Sequence, residues 1–337
     1  MTDDPRIAVV GSGSWGTAFA NALAYKGLKV MMWARRQEIA DSIQEEHINP
    51  SYLPDIFLSP RLRATFDIEE AVHRADVVVM AVPSHGFRDV LRDVSKSASG
   101  RVPIVSLAKG LEVDGHRRMS QVIAEEVPAA WPERIAVLSG PNLAREVARG
   151  EPAAAVVACG HAGVADRMQE IFMTPTFRTY SDHDVVGVEI GGIVKNVIAI
   201  AVGIAEGVGF GLNTRAAVIT RGLAEMKRLG EKQGADPMTF SGLAGVGDLI
   251  CTCMSTLSRN HHVGIELGRG RKIDEILADM SQVAEGVKSS AAVKTLADES
   301  DVEMPISQGV YRVVHEGQEV GDMISDLLRV HRQRERD

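Results

Sequence analysis

Short apolar runs alternate with segments of helical period through the first half of the chain. The runs RIAVV, KVMMWA, DVVVMAVPS, RVPIVSLAKG and RIAVLSG are β-rich and largely apolar. Between them, segments such as SWGTAFANALAYKG and RRMSQVIAEEV repeat apolar positions every three to four residues. Continuous apolar strands separated by helices predict a parallel sheet covered on both faces. AAAVVACG and FRTYS read as two later strands, with the helical HAGVADRMQEIFM between them. After about residue 181 the strand pattern stops. DHDVVGVEIGGIVKNVIAIAVGIAEG and NTRAAVITRGLAEMKRLGEKQG predict two long helices, and IDEILADM, SSAAVKTLADES and ISQGVYRVVHEG continue the helical pattern with Gly and Pro breaks. The chain is therefore expected to be α/β, with a doubly wound, mainly parallel sheet domain over residues 1–181 and an all-α domain over residues 182–337.

Residues 11–16 read Gly-Ser-Gly-Ser-Trp-Gly, a G-x-G-x-x-G fingerprint between the first strand and the first helix. Gly11 permits the tight turn, Gly13 lets a pyrophosphate approach the backbone, and Gly16 lets helix and strand pack closely. The N–H groups and positive end of the helix favour phosphates, as in a Rossmann-like dinucleotide domain. The second strand of such a unit usually ends in Asp or Glu, which binds a ribose hydroxyl. Here KVMMWARRQE runs into Arg35 and Arg36 instead. A guanidinium pairs with a 2′-phosphate that an acid would repel, so NADP is the expected cofactor, with NADPH preferred. Arginine also stacks on adenine without selecting a phosphate, which leaves use of NAD open.

Composition narrows the class. At 337 residues, 45% hydrophobic and 24% charged, the chain is globular and long enough for two domains. A net charge of −8 argues against a general nucleic-acid binder, though one local cation cluster suffices for a small phosphorylated ligand. The three cysteines, Cys159, Cys251 and Cys253, form no framework and fit a reducing compartment. CTC lacks the spacing of a zinc site, so no metal is expected, and Cys251 and Cys253 read as small buried residues. MTDDPRIAVVG has no signal-peptide pattern. The longest apolar stretch of the helical half, VIAIAVGIA, is about half of what a membrane span needs. The reading is a soluble, cytoplasmic protein with no membrane span.

EIGGIVKNVIAIAVGI places Lys195 and Asn196 in an otherwise apolar helix, directly after paired glycines. Packing does not need a lysine there, and desolvation would lower its pKa from about 10.4 toward working pH. A reductase needs such a proton source near the carbonyl carbon that accepts hydride. The plainer alternative is a lysine snorkelling from a helix face.

The motifs GSGSWGTAFA, WARR, AVPSH, AKGLE, SGPNLAREVARGEPAA, EIGGIVKNVIAIAVGIAEGVGFGLNTRAAVITRGLAEM and GLAGVGDLICTC…SRN together resemble the bacterial NAD(P)-dependent sn-glycerol-3-phosphate dehydrogenases. They follow the family's order from residue 7 to about 290, and the block from Glu189 to Met226 is far more specific than the glycine fingerprint. The resemblance implies that Lys195 is the catalytic lysine and a substrate contact. It would accept the proton in glycerol-phosphate oxidation and protonate the C2 oxygen of dihydroxyacetone phosphate in reduction. Lys109 in AKGLE is implied to contact cofactor and substrate, and a neighbouring cation would depress the Lys195 pKa further. Asp248 in GVGDL is implied to be a substrate-site aspartate able to pair with Lys195, a role compatible with capping a following helix. Gly140 and Asn142 in SGPN match substrate contacts. Ser258, Arg259 and Asn260 match a phosphate-binding corner, where a guanidinium gives bidentate contact and a hydroxyl and an amide add donors.

Arg259 is also implied to reach the cofactor, alongside Ser14, Trp15, Ala144, Val283 and Glu285, with His85 and Tyr52 as further candidates. His261 and His262 read as solvated loop histidines, and the tail HRQRERD as a frayed helix end. The family resemblance also implies a homodimer formed through the helical domain, and a product that serves as the glycerophospholipid backbone. Two alternatives stay open: a related β-hydroxyacid or 6-phosphogluconate-type dehydrogenase with a carboxylate substrate, and a non-catalytic dinucleotide sensor on the same fold.

Overall fold

The computed structural model describes residues 4–98, 102–112, 115–127, 132–280, 282 and 284–329. Among these, eight strands form one sheet: β1 (Arg6–Val10), β2 (Lys29–Trp33), β3 (Leu62–Thr65), β4 (Val77–Met80), β5 (Ile104–Ser106), β6 (Ile135–Ser139), β7 (Ala153–Cys159) and β8 (Phe177–Asp182). Their order is β3-β2-β1-β4-β5-β6-β7-β8, and neighbours are parallel except β6 and β7. The first six strands thus have the doubly wound order of dinucleotide-binding sheets, extended by two strands of reversed direction.

The helices α1 (Ser14–Lys26), α2 (Gln37–Asp41), α3 (Ile68–Val72), α4 (Phe87–Ser97), α5 (Met119–Glu126), α6 (Ala144–Ala148) and α7 (Ala162–Phe172) accompany the strands. Successive residues of a strand face opposite sides of a sheet, which explains the unbroken apolar runs. Ile7 and Val9 of β1 join one core with Phe19, Leu23 and Phe172. Ala8 and Val10 join another with Phe87, Leu91 and Val122.

The later elements are α8 (Val185–Gly207), α9 (Leu212–Lys232), α10 (Asp248–Met254), α11 (Arg259–Gly268), α12 (Ile273–Ala278), α13 (Glu285–Glu299), α14 (Pro305–His315) and α15 (Val320–Arg329). Packing divides the chain into two compact units, Met1–Gly192 with Ala235–Asp248, and Ile193–Gly234 with Leu249–Asp337. The division therefore falls within α8 rather than after residue 181, and a later segment returns to the first unit. Asp184 ties both additions down. Its Oδ1 accepts from the Gly187 N–H at 2.8 Å, and its Oδ2 accepts from the Asp236 N–H at 2.9 Å and the Thr239 hydroxyl at 2.6 Å.

One expectation needs correction. VIAIAVGIA is part of the 23-residue α8, which is long and apolar enough to cross a membrane by length and composition. However, 89% of its apolar window is buried inside the protein, which marks a core helix. Cys253 is buried as expected, whereas Cys251 is only half-buried. The tail HRQRERD lies outside the described residues.

Candidate active site

The glycine turn sits where β1 meets α1. Gly11 has a φ of +117°, and a Cβ there would stand 2.6 Å from the Ala81 carbonyl oxygen. At Gly16 a Cβ would lie 2.3 Å from the Gly11 carbonyl, so helix and strand approach as closely as the motif requires. Gly13 differs: among the described residues nothing lies within 4 Å of a Cβ placed on it, so that side of the turn is open. Ser14 and Trp15 begin α1, whose N-cap is Gly13 with no side-chain cap. The buried Trp15 Nε1 has no hydrogen-bond partner among the described residues, and the Ser14 hydroxyl donates to the Tyr52 carbonyl at 3.5 Å. An open backbone at a helix N-terminus and an unpaired donor beside it fit a dinucleotide.

The Gly11 N–H donates to the Trp33 carbonyl at 3.0 Å, joining the carboxyl ends of β1 and β2. Arg35 and Arg36 follow immediately and are exposed. Arg36 donates to the Ser51 hydroxyl at 2.8 Å and lies 3.6 Å from the Glu38 carboxylate. Ala144 opens α6, Glu285 opens α13, and the exposed His85 lies in the single turn Ser84–Gly86 after β4. Val283 lies outside the described residues.

Lys109 follows β5, and its ammonium donates to Asp248 Oδ2 at 2.7 Å and to the Gly140 carbonyl at 2.9 Å. Asp248 is 1% exposed and also receives the Ser139 hydroxyl at 3.4 Å. Gly140 has a φ of +146°, with Ala154 and Ala155 backbone atoms 2.9 Å from where a Cβ would be. The paired glycines of α8 explain themselves here. A Cβ on Gly192 would meet Ser139 Oγ at 3.0 Å and Lys109 Cγ at 3.3 Å, while one on Gly191 would meet the Ala244 carbonyl at 2.4 Å. Asn142 stands out nearby in the chain, because both its amide nitrogen and oxygen are buried without a partner among the described residues. Leaving such a group unpaired costs about 1–3 kcal/mol, a cost that a ligand's polar groups would offset.

In the second unit, Lys195 is 5% exposed among buried Val194, Val197 and Ile198, and its ammonium donates to the Thr252 hydroxyl at 2.7 Å. Thr252 escaped the sequence reading, although it stands one helical turn after Asp248 on α10, a spacing that shares a face. Asn196 Oδ1 accepts from Asn260 Nδ2 at 2.9 Å, and Asn260 Oδ1 accepts from the Gly286 N–H at 2.9 Å. Ser258 caps α11, its hydroxyl accepting from the His261 N–H at 3.3 Å, and Arg259 and Asn260 are the first residues of that helix. The corner thus adds a helix N-terminus to a guanidinium, a combination suited to an anion. α11 lies against α8 through glycines: a Cβ on Gly264 would stand 2.1 Å from the Ile200 carbonyl. His261 corrects the reading of a solvated loop histidine. It lies within α11, is 4% exposed and faces Glu206 at 3.3 Å, and burial pushes its pKa down. His262 is exposed.

Residues 6–165 match the family model described as the N-terminus of NAD-dependent glycerol-3-phosphate dehydrogenase, and residues 184–325 match that of its C-terminus. A glycerol-3-phosphate dehydrogenase (NAD(P)+) of Streptomyces griseus is 51% identical over 330 residues, 97% of each chain. One from Thermobifida fusca is 52% identical over 315 residues, 93% of each chain. The crystal structure of glycerol-3-phosphate dehydrogenase from Coxiella burnetii is similar with a TM-score of 0.91 and 36% identity, covering 97% of this chain and 99% of that one. With both halves of the chain matched and half of its residues identical to such relatives, the chain belongs to the NAD(P)-dependent glycerol-3-phosphate dehydrogenase family.

Proposed function

We propose that this chain is an NADPH-preferring, reversible reductase that converts dihydroxyacetone phosphate to sn-glycerol 3-phosphate, the backbone for glycerophospholipids, in the cytoplasm. The observation that carries this reading is Lys195: an ammonium nine-tenths buried in an apolar helix of a dehydrogenase family member, hydrogen-bonded to a hydroxyl. When bound, the reduced nicotinamide supplies the hydride that C2 of the ketone accepts. Lys195 donates its proton to the C2 oxygen, completing the secondary alcohol, and in oxidation its amine takes the hydroxyl proton back. Thr252 holds the Lys195 nitrogen in place.

Lys109 and Asp248 bind the polar end of the substrate, with the Asp248 carboxylate accepting from a hydroxyl and the Lys109 ammonium donating to an oxygen. The Asn142 amide and the Gly140 backbone complete that contact. Ser258, Arg259 and Asn260 take the phosphate, which requires two negative charges to be met by a guanidinium, a hydroxyl and N–H donors. Arg35 and Arg36 favour the 2′-phosphate of NADPH. Arg259, Glu285 and Val283 are assigned to the cofactor by the family resemblance, as are Ser14, Trp15 and Ala144.

The test is oxidation of NADPH and of NADH, in parallel, with dihydroxyacetone phosphate as substrate. Turnover that favours NADPH supports the reading. Turnover that favours NADH keeps the enzyme and overturns the role of Arg35 and Arg36. Turnover only with a carboxylate-bearing oxo acid, the hydride acceptor of a hydroxyacid dehydrogenase, would instead favour the related dehydrogenases.

A further inference from the structure

Asn49 is fully buried and belongs to no part of the machinery described so far. Its Nδ2 donates to the Ser12 carbonyl at 2.9 Å and to the Thr17 hydroxyl at 2.8 Å. The Thr17 hydroxyl, also fully buried, donates to the same Ser12 carbonyl at 3.2 Å. Two donors therefore converge on one carbonyl inside the glycine turn. A peptide unit is planar and, here, trans, so the Ser12 C=O and the Gly13 N–H point in opposite directions. Holding the carbonyl against Asn49 and Thr17 turns the Gly13 N–H to the opposite side, away from these two donors.

The remaining atom of the amide argues against a packing role. Asn49 Oδ1 is buried without a partner among the described residues, and an unpaired buried carbonyl costs about 1–3 kcal/mol. A leucine of similar size would fill the space without that cost, so the feature that requires asparagine is its pair of donated hydrogen bonds.

We propose that Asn49 is a positioning residue for the cofactor: by pinning the Ser12–Gly13 peptide it aims the Gly13 N–H at the dinucleotide pyrophosphate. This rests on the dinucleotide reading of the glycine turn. The pyrophosphate is common to both nicotinamide cofactors, so Asn49 acts on NADPH and NADH alike, unlike Arg35 and Arg36.

The experiment titrates wild type, Asn49→Leu and Thr17→Val with NADPH and, separately, with NADH, following the fluorescence of the reduced nicotinamide. Thermal unfolding is recorded on the same preparations. Each variant is expected to weaken both dinucleotides by the same factor, about ten-fold for Asn49→Leu, which is the loss of one to two hydrogen bonds. The KM for dihydroxyacetone phosphate stays unchanged. A purely structural role would lower the unfolding temperature and leave dinucleotide affinity unmoved, and that result overturns the proposal. Weakening confined to NADPH overturns it too. If Asn49→Leu does not fold, Thr17→Val decides alone by the same criteria. Failure of the wild type to bind either dinucleotide overturns the parent reading, and the proposal with it.

Discussion

Lys109 and Asp248, separated by 139 residues in sequence, form a buried ion pair at 2.7 Å, with the Lys109 ammonium also on the Gly140 carbonyl at 2.9 Å. The pair brings together the end of β5, the turn after β6 and the first residue of α10. The glycines at 191 and 192 let α8 come close enough to touch the stem of Lys109 and the backbone of Ala244, four residues before Asp248. One charged contact thus depends on four elements being in register.

Breaking such a pair from one side leaves a buried charge uncompensated. Asp248→Asn is expected to cost about 3 kcal/mol, the lower end for buried pairs, because the Lys109 side chain retains 17% exposure. Thermal unfolding should fall by roughly 6–12 °C, and the KM for dihydroxyacetone phosphate should rise. A variant as stable as wild type with an unchanged KM would remove Asp248 from the substrate site.

Arg35 and Arg36 are exposed after β2, and Arg36 is steadied by Ser51. Replacing both with Ala is expected to raise the KM for NADPH by about ten-fold or more while that for NADH changes little, since only NADPH carries the 2′-phosphate. Equal effects on both cofactors would contradict the assignment. The same assays at rising salt should narrow the preference for NADPH, because exposed charges are screened.

Glu225 on α9 adds a pH dependence to stability. Burial pushes its carboxyl up to about 7, against the pull of the Ile306 N–H at 2.6 Å, the Ser307 hydroxyl at 2.8 Å and the Ser307 N–H at 3.0 Å. These donors lie at the N-terminus of α14, which Glu225 caps from another helix. An unburied glutamate titrates near 4.5, so between that pH and about 7 the folded chain binds more protons than the unfolded one. Stability from this group is full below about 4.5, falls as pH rises through the interval, and is flat above it. Glu225→Gln should flatten the unfolding temperature across that window. An identical pH slope in variant and wild type would contradict this account.

Much of the fold is legible in the sequence because local pattern and burial coincide. From Ile7 on β1 is buried on both faces, as is β4, and both read as unbroken apolar runs, while Gly11 and Gly16 each meet a distinct local constraint. The long-range partners are less visible. Nothing local links Thr252 to Lys195, or Glu225 to a helix N-terminus 81 residues away. The division of the chain is also hidden, since α8 runs through it without a break in composition, and Ala235–Asp248 is tied back by the side chain of Asp184. His261 misled for a related reason: its neighbour His262 is exposed, and only the helical register of α11 separates the two.

The proton role of Lys195 is tested by turnover of dihydroxyacetone phosphate by Lys195→Met, which keeps the length of the side chain without its charge. The expected kcat is lower by about a hundred- to ten-thousand-fold, the range of general acid–base catalysis, with NADPH affinity and unfolding temperature close to wild type. A folded variant that binds NADPH and turns over within a few-fold of wild type would contradict it.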